Sequence, residues 1–168
     1  MSRQDLLPPL AGEGRLALTE LELVDWGTRL GRQVNPPLII TLDGDLGTGK
    51  TTLARAICAG YGVRDDVTSP TFAIVHVYDA PKSPVYHIDL FRLESPRDLQ
   101  NIGWDDTIQA DALLLIEWPD RAGELLPVNH VPIQLRHLQG EPDRRVLYAG
   151  GHLGGRAKGP LGGEVTLR

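Results

Sequence analysis

A single cysteine, Cys58, is all the thiol chemistry this chain carries, so no internal disulfide can form and a reducing compartment suits it. Cys58 falls inside an apolar helical pattern, where a small buried hydrophobe is the ordinary role and a nucleophile the exceptional one. Lysine is nearly as scarce: only Lys50, Lys82 and Lys158 occur, and the formal net charge is −5. Binding to nucleic acid draws much of its energy from phosphate neutralisation. The composition therefore excludes a self-sufficient RNA or DNA binder and allows only one that a partner holds to RNA. Long hydrophobic runs are missing too. None approaches the roughly 20 residues that span a bilayer, and MSRQDLLPPLAGEG at the start has neither an apolar signal core nor a twin arginine. A cytoplasmic location without membrane contact is expected. The five histidines (His76, His87, His130, His137 and His152) show no metal-ligand spacing with the lone cysteine, so no zinc site is expected.

What is present suits one domain of 168 residues. Residues 1–13, with Pro-Pro and little periodicity, read as a flexible tail, and the glycine-rich residues 150–168 as another. Between them, 14–149 alternates strand and helix signals. Leu16–Leu18 predicts a short strand, and Thr19 has the chemistry of a helix N-cap. Apolar positions at Leu21, Val24, Leu30 and Val34 predict a helix over about 20–33, stopped by Asn35-Pro36-Pro37. Leu38–Leu42 is apolar and β-branched, as a buried parallel strand requires. A helix over 51–61 follows the glycine loop. Phe72–Tyr78 and Pro84–Phe91 read as a hairpin, and Ser95-Pro96 opens a short helix. Ala112–Ile116, Val131–Leu138 and Arg145–Tyr148 read as three more strands. The sum is a three-layer α/β fold of the P-loop NTPase type: a mixed, mostly parallel sheet with an antiparallel hairpin and helices on both faces.

The chemistry starts at Gly44-Asp45-Leu46-Gly47-Thr48-Gly49-Lys50-Thr51, which fits G-x-x-x-x-G-K-[ST] without a mismatch. Polyphosphate can be encircled by backbone N–H groups only where side chains do not intrude, and glycines at 44, 47 and 49 leave that space. The following helix points its positive end at the same oxygens. Asp45, Leu46, Gly47, Thr48, Gly49, Lys50, Thr51 and Thr52 are thus expected to line the nucleotide, with Lys50 on the β- and γ-phosphates and the Thr51 hydroxyl on Mg²⁺. Glu117 ends an apolar strand. In an open α/β sheet, carboxyl ends of strands carry ligands, so Glu117 is expected to face the loop as a metal-site or water-orienting acid. A surface acid capping the next helix is the alternative. Asp89, in an alternating strand, reads from pattern alone either as a second acid or as an exposed one.

GDLGTGKTT, VTSPTF, VYHIDLFRL and LLIEWPDR occur in the order and near the spacing of the bacterial TsaE (YjeE) ATPases, and the resemblance runs from about Thr19 to Tyr148. Similar proteins hydrolyse ATP in support of N6-threonylcarbamoyladenosine formation at position 37 of tRNAs reading codons that start with A. They act in an ATP-dependent complex with TsaB and TsaD, and meet tRNA only through them. The resemblance implies ATP and Mg²⁺ as cofactors, with Thr51, Glu117 and Asp89 at the metal and Lys50, Glu117 and Asp89 in catalysis. It makes Thr68, Ser69 and Thr71 a switch-like loop, where a plain surface turn is the alternative. It also places Trp118 beside the nucleotide, unless that ring merely packs the core, and Thr19 near the adenine, unless it only caps its helix. Phe91 stands where the family motif carries tyrosine. A basic family position falls near Arg144 and Arg145, but Glu141-Pro142-Asp143 blurs the register and neither residue is assigned.

Three rivals remain. A P-loop small-molecule or nucleoside kinase needs an arginine-bearing lid, whereas Arg92, Arg97 and Arg121 are scattered. A GTPase needs a guanine-reading Asn/Thr-Lys-x-Asp motif, which is absent. A pure binding module would use ATP without hydrolysing it.

Overall fold

The computed structural model describes residues 16–149, so both expected tails lie outside the described residues. Within them, one sheet contains β1 (Leu16–Thr19), β2 (Leu38–Asp43), β3 (Val75–Tyr78), β4 (Val85–Asp89), β5 (Leu113–Glu117), β6 (Val131–Leu138) and β7 (Glu141–Ala149). Their spatial order is β1-β7-β6-β2-β5-β4-β3. The central strands β6, β2, β5 and β4 are parallel. The expected β3–β4 hairpin adds an antiparallel edge, and β7 with β1 builds a second one on the opposite side.

Helices α1 (Glu20–Gln33) and α2 (Lys50–Tyr61) cover one face, and the short α3 (Trp104–Ile108) with two 3₁₀ segments covers the other. Leu23, Trp26, Leu30, Leu53 and Ile57 meet Ile40, Leu42 and Leu115 on the first face; Leu90, Leu99 and Trp104 meet Leu114 and Ile116 on the second. Alternate residues of β5 thus serve both cores, which is why its five residues are all buried and uniformly apolar up to Glu117. Thr19 begins α1 as a capping box: its hydroxyl accepts from the Glu22 N–H, and the Glu22 carboxylate accepts from the Thr19 N–H. The two helices approach backbone to backbone. A Cβ added to Gly60 would collide with the Thr28 carbonyl, so only glycine permits this spacing.

Most boundaries fall within two residues of expectation, and two strand starts differ by more. β3 begins at Val75 rather than Phe72, because Ile74 adopts a left-handed φ of 67° and its N–H closes a turn onto the Pro70 carbonyl at 2.8 Å. The loop before β3 is longer for that reason. β7 begins at Glu141 rather than Arg145, with Pro142 beside the register shift between His137 and Leu138. β1 pairs only from Arg144 onward, so the missing proline N–H leaves no cross-strand partner unsatisfied on that side. The 3₁₀ segment Pro96–Ile102 fulfils the Ser95 cap expectation, whereas α3 and the 3₁₀ segment Pro119–Leu125 had no sequence counterpart.

Cys58 is buried in the first core, and burial pushes its thiol up to about 12 from an ordinary 9.0. Above pH 9 the unfolded chain gives up this proton while the folded chain keeps it, so stability falls as pH rises. The loss approaches about 1.4 kcal/mol per pH unit. Urea midpoints measured from pH 8 to 10.5 are expected to decline less steeply in Cys58→Ala than in the wild type.

Candidate active site

β2 runs straight into the glycine loop, and the loop into α2. Gly49 caps α2 with φ 104°, and its αL geometry, with Leu23 and Arg145 a little over 3 Å from an added Cβ, excludes larger residues. Among the described residues no side chain caps α2, which leaves its first N–H groups to face an anion. Within the loop, the Thr48 hydroxyl and N–H both donate to the Asp45 carbonyl, at 2.8 and 3.3 Å, which fixes the turn. Lys50 is 5% exposed. Its Nζ donates to the carbonyls of Gly44 (2.7 Å) and Asp45 (2.9 Å) and lies 4.2 Å from the Trp118 ring centroid. Burial lowers its pKa, while the charges of Glu117, Asp43, Asp89 and Asp45 oppose that shift.

Glu117 and Asp89 end the adjacent parallel strands β5 and β4 and are register partners. Both are buried, so the exposed alternatives for these acids do not apply. The Thr51 hydroxyl, on the first turn of α2, donates to Glu117 Oε1 at 2.9 Å and lies 3.3 Å from Oε2. Asp89 Oδ1 accepts the Phe91 N–H at 2.9 Å, and Oδ2 accepts the Ser69 hydroxyl at 3.4 Å. Burial raises the Asp89 pKa and the like charge of Glu117 adds to it; the Phe91 and Ser69 hydrogen bonds and His87 work the other way. Trp118 follows Glu117 in a left-handed conformation (φ 57°), an unusual state for a bulky residue, and its ring meets Phe91 at 4.9 Å between centroids.

These groups surround one cavity of about 400 Å³. Its lining includes Leu46, Gly47, Gly49, Lys50, Thr51, Thr52, Ser69, Thr71, Asp89, Glu117 and Trp118, all singled out from sequence. Asp45 and Thr48 shape the loop from behind rather than lining the cavity, and Thr19 serves its helix as the cap. Thr68 turns the other way: its N–H donates to the Tyr78 hydroxyl at 3.1 Å, and Tyr78 Oη lies 3.2 Å from His76 Nδ1. The loop from Thr68 to Thr71 is therefore tied to β3 at Thr68 and reaches Asp89 through Ser69.

The donor set is one hydroxyl and one or two carboxylates, all hard oxygens. Among the described residues no three His, Cys, Asp or Glu side chains form a metal cage. A Mg²⁺ ion shared with phosphates and water needs no such cage, so Thr51, Glu117 and Asp89 fit it.

The family model described as "Threonylcarbamoyl adenosine biosynthesis protein TsaE" matches residues 18–146. The chain belongs to the TsaE family. It is 35% identical over 113 residues to the tRNA threonylcarbamoyladenosine biosynthesis protein TsaE of Treponema pallidum, covering 67% of this chain and 83% of that one. To the protein of the same name from Haemophilus influenzae it is 40% identical over 90 residues, covering 54% and 57%. The crystal structure of Bacillus subtilis YdiB superposes with a TM-score of 0.68 at 24% identity, covering 86% of each chain, and supports the fold.

In this member of the family, four residues at the site were not assigned from sequence: Glu20, Phe91 and Arg145 also line the cavity, and His87 Nε2 lies 2.7 Å from Glu117 Oε2. His87 had a detectable signal, since it sits two places before Asp89 and so faces the same side of β4. Arg145 had a blurred one: the resemblance puts a basic position near Arg144 and Arg145, and the irregular start of β7 hides which of the two faces the loop. Its guanidinium lies against Gly49, and its Nε is buried without a partner among the described residues.

Proposed function

We propose that this TsaE-family chain binds and hydrolyses ATP with Mg²⁺, in support of threonylcarbamoyladenosine formation at position 37 of tRNAs reading codons that start with A. It acts in an ATP-dependent complex with TsaB-like and TsaD-like proteins and meets tRNA through them. One observation carries the reading: the Thr51 hydroxyl, from the helix behind the glycine loop, and the Glu117 carboxylate, from a different strand, meet at 2.9 Å inside the same cavity as Lys50.

Bound Mg²⁺ supplies neutralisation of charge developing on the phosphate oxygens. Thr51 and Glu117 would hold it, with Asp89 beside them. Lys50 exchanges its two loop carbonyls for phosphate oxygens, so its buried ammonium stays hydrogen-bonded throughout. Glu117, held away from bulk water, orients the attacking water. Trp118 and Phe91 wall the cavity and limit water entry. Hydrolysis by the purified chain, read as phosphate release, is expected to be slow and to rise with partners. Fast hydrolysis by the isolated chain counts against that dependence.

Arg145 is the one arginine among the residues lining the cavity. Arg145→Ala is expected to weaken ATP binding about 10- to 100-fold, the worth of a charge-assisted hydrogen bond, with melting temperature little changed. Titration calorimetry checks this.

The rim supports a partner. Leu46 on the loop and Phe72 on the switch loop are 68% and 85% exposed, and Phe91 is partly exposed. Arg92 lies 4.4 Å over the Phe72 ring and Arg121 5.8 Å over Phe91, so neither forms a phosphate-facing lid of the kinase kind. Pull-down of TsaB-like and TsaD-like proteins with ATP but not without it tests the assembly. Phosphorylation of a nucleoside acceptor by the chain would favour the kinase instead.

A further inference from the structure

Behind Glu117 sits a polar group to which the proposed hydrolysis assigns no part. The His87 imidazole has no exposed surface, Glu117 has 2%, and their contact at 2.7 Å is the shortest of the hydrogen bonds to the Glu117 carboxylate. A carboxylate only accepts, so Nε2–H is the donor. The other ring nitrogen, Nδ1, has no hydrogen-bond partner among the described residues. A histidine kept only to fill the core is ordinarily satisfied at both nitrogens. Here every polar contact of the ring is directed at one carboxylate.

The placement of the partners gives that contact a consequence. Glu117 is the last residue of β5, and beyond it the chain turns sharply into the left-handed Trp118. On the cavity side the one hydrogen bond to its carboxylate among the described residues comes from the Thr51 hydroxyl, a rotor that in the proposed reaction would also serve a metal ion. His87, by contrast, is clamped at mid-strand: it is the register partner of Leu115 on β5 and of His76 on β3. Its backbone is thus held from both sides, and its fully buried ring has no open space in which to follow the carboxylate if the carboxylate turns.

We propose that His87 is a positioning residue for Glu117: its fixed Nε2–H anchors Oε2 at the back of the site, so that Oε1 stays turned towards Thr51 and the cavity. This rests on the ATPase reading above. The ring touches no cavity-lining surface of its own and acts only through the glutamate. It is the same arrangement by which outer hydrogen bonds orient metal-binding side chains, where removal costs about 10- to 100-fold in activity or metal affinity.

Three substitutions test it. In His87→Gln the terminal amide nitrogen reaches about as far as Nε2, so the bond to Oε2 is remade. In His87→Asn the amide reaches only to the position of Nδ1, which bonds nothing. His87→Leu removes the donor. For each, kcat and KM for ATP are measured on the full chain, together with the Mg²⁺ concentration giving half-maximal binding of a fluorescent ATP analogue. Asn and Leu are expected to lower kcat and raise the Mg²⁺ midpoint, each by about 10- to 100-fold, with metal-free analogue binding unchanged. Gln is expected to restore both.

A role in core packing alone predicts no such difference between the two amides. If Asn matches Gln, or if Leu keeps the wild-type kcat and Mg²⁺ midpoint, the positioning role is overturned. Should Leu fail to fold, the Asn and Gln pair decides. A wild-type chain that releases no phosphate from ATP, even with partners, overturns instead the ATPase reading and the positioning role with it.

Discussion

Replacing Glu117 with glutamine is expected to lower ATP hydrolysis about 10²- to 10⁴-fold, the usual contribution of a positioned acid–base group, while leaving ATP binding close to the wild-type level. The volume is kept and the charge is lost. Thr51 and His87 both donate to the native carboxylate, but an amide offers one oxygen and one NH₂, so it can accept from only one of them and must donate at the other contact. Oxygen donation to a metal weakens, and the attacking water loses its orienting charge. Neither change removes the loop amides or the Lys50 ammonium, which is why binding survives. The substitution has a second effect on Asp89, whose carboxyl the Glu117 charge helps to keep above the ordinary range. With that charge gone, the Asp89 pKa moves down. Phosphate release under single turnover, with calorimetric ATP binding on the same sample, separates the two functions. Equal loss of both would mean that Glu117 holds the nucleotide rather than its reaction.

Lys50→Ala is expected to act on the other half of the cycle, weakening ATP binding at least 100-fold and removing hydrolysis with it. The cavity holds Glu117 and Asp89 on its wall, with Asp43 and Asp45 close enough to act on the same ammonium. Lys50 and Arg145 are the cations lining it, beside Glu20 and the two acids. Without Lys50, Arg145 and the loop amides must attract a polyanion into a site of net negative charge. Hydrogen bonds to charged groups contribute about 1.5–3 kcal/mol each, and Lys50 now makes two to carbonyls that a nucleotide would replace. Thermal stability is expected to change little, since loss of the ammonium also removes the cost of burying it. Lys50→Met, which keeps the packing against Trp118, should bind ATP no better than Lys50→Ala. If it does, packing rather than charge holds the nucleotide.

The contrast between Glu117 and Arg145 shows how far local sequence reaches. Glu117 was legible because an apolar run that ends in an acid specifies both a buried strand and a strand end, and open α/β sheets gather ligands there. The glycine loop was legible because its spacing is a direct record of backbone space. Asp89 needed the fold: alternation in VYHIDL marks a face of β4, but only the pairing with β5 shows that this face meets Glu117. His87 lies on the same face and could have been read with it. Arg145 reaches the loop through long-range pairing, β1 on β7 and β7 on β6, and a proline beside a register shift conceals that pairing. The longer loop before β3 was hidden for a similar reason, since a left-handed isoleucine carries no composition signal.

In the proposed function the loop, Lys50 and the Thr51–Glu117 pair form one site for ATP and Mg²⁺. Equilibrium binding of labelled ATP to the full chain, with and without Mg²⁺, in the wild type and in Lys50→Ala, tests it most directly. Saturable binding of one ATP per chain, tightened by Mg²⁺ and lost on substitution, is the expected result. Absence of binding in the wild type, or binding that Lys50→Ala leaves untouched, would contradict it.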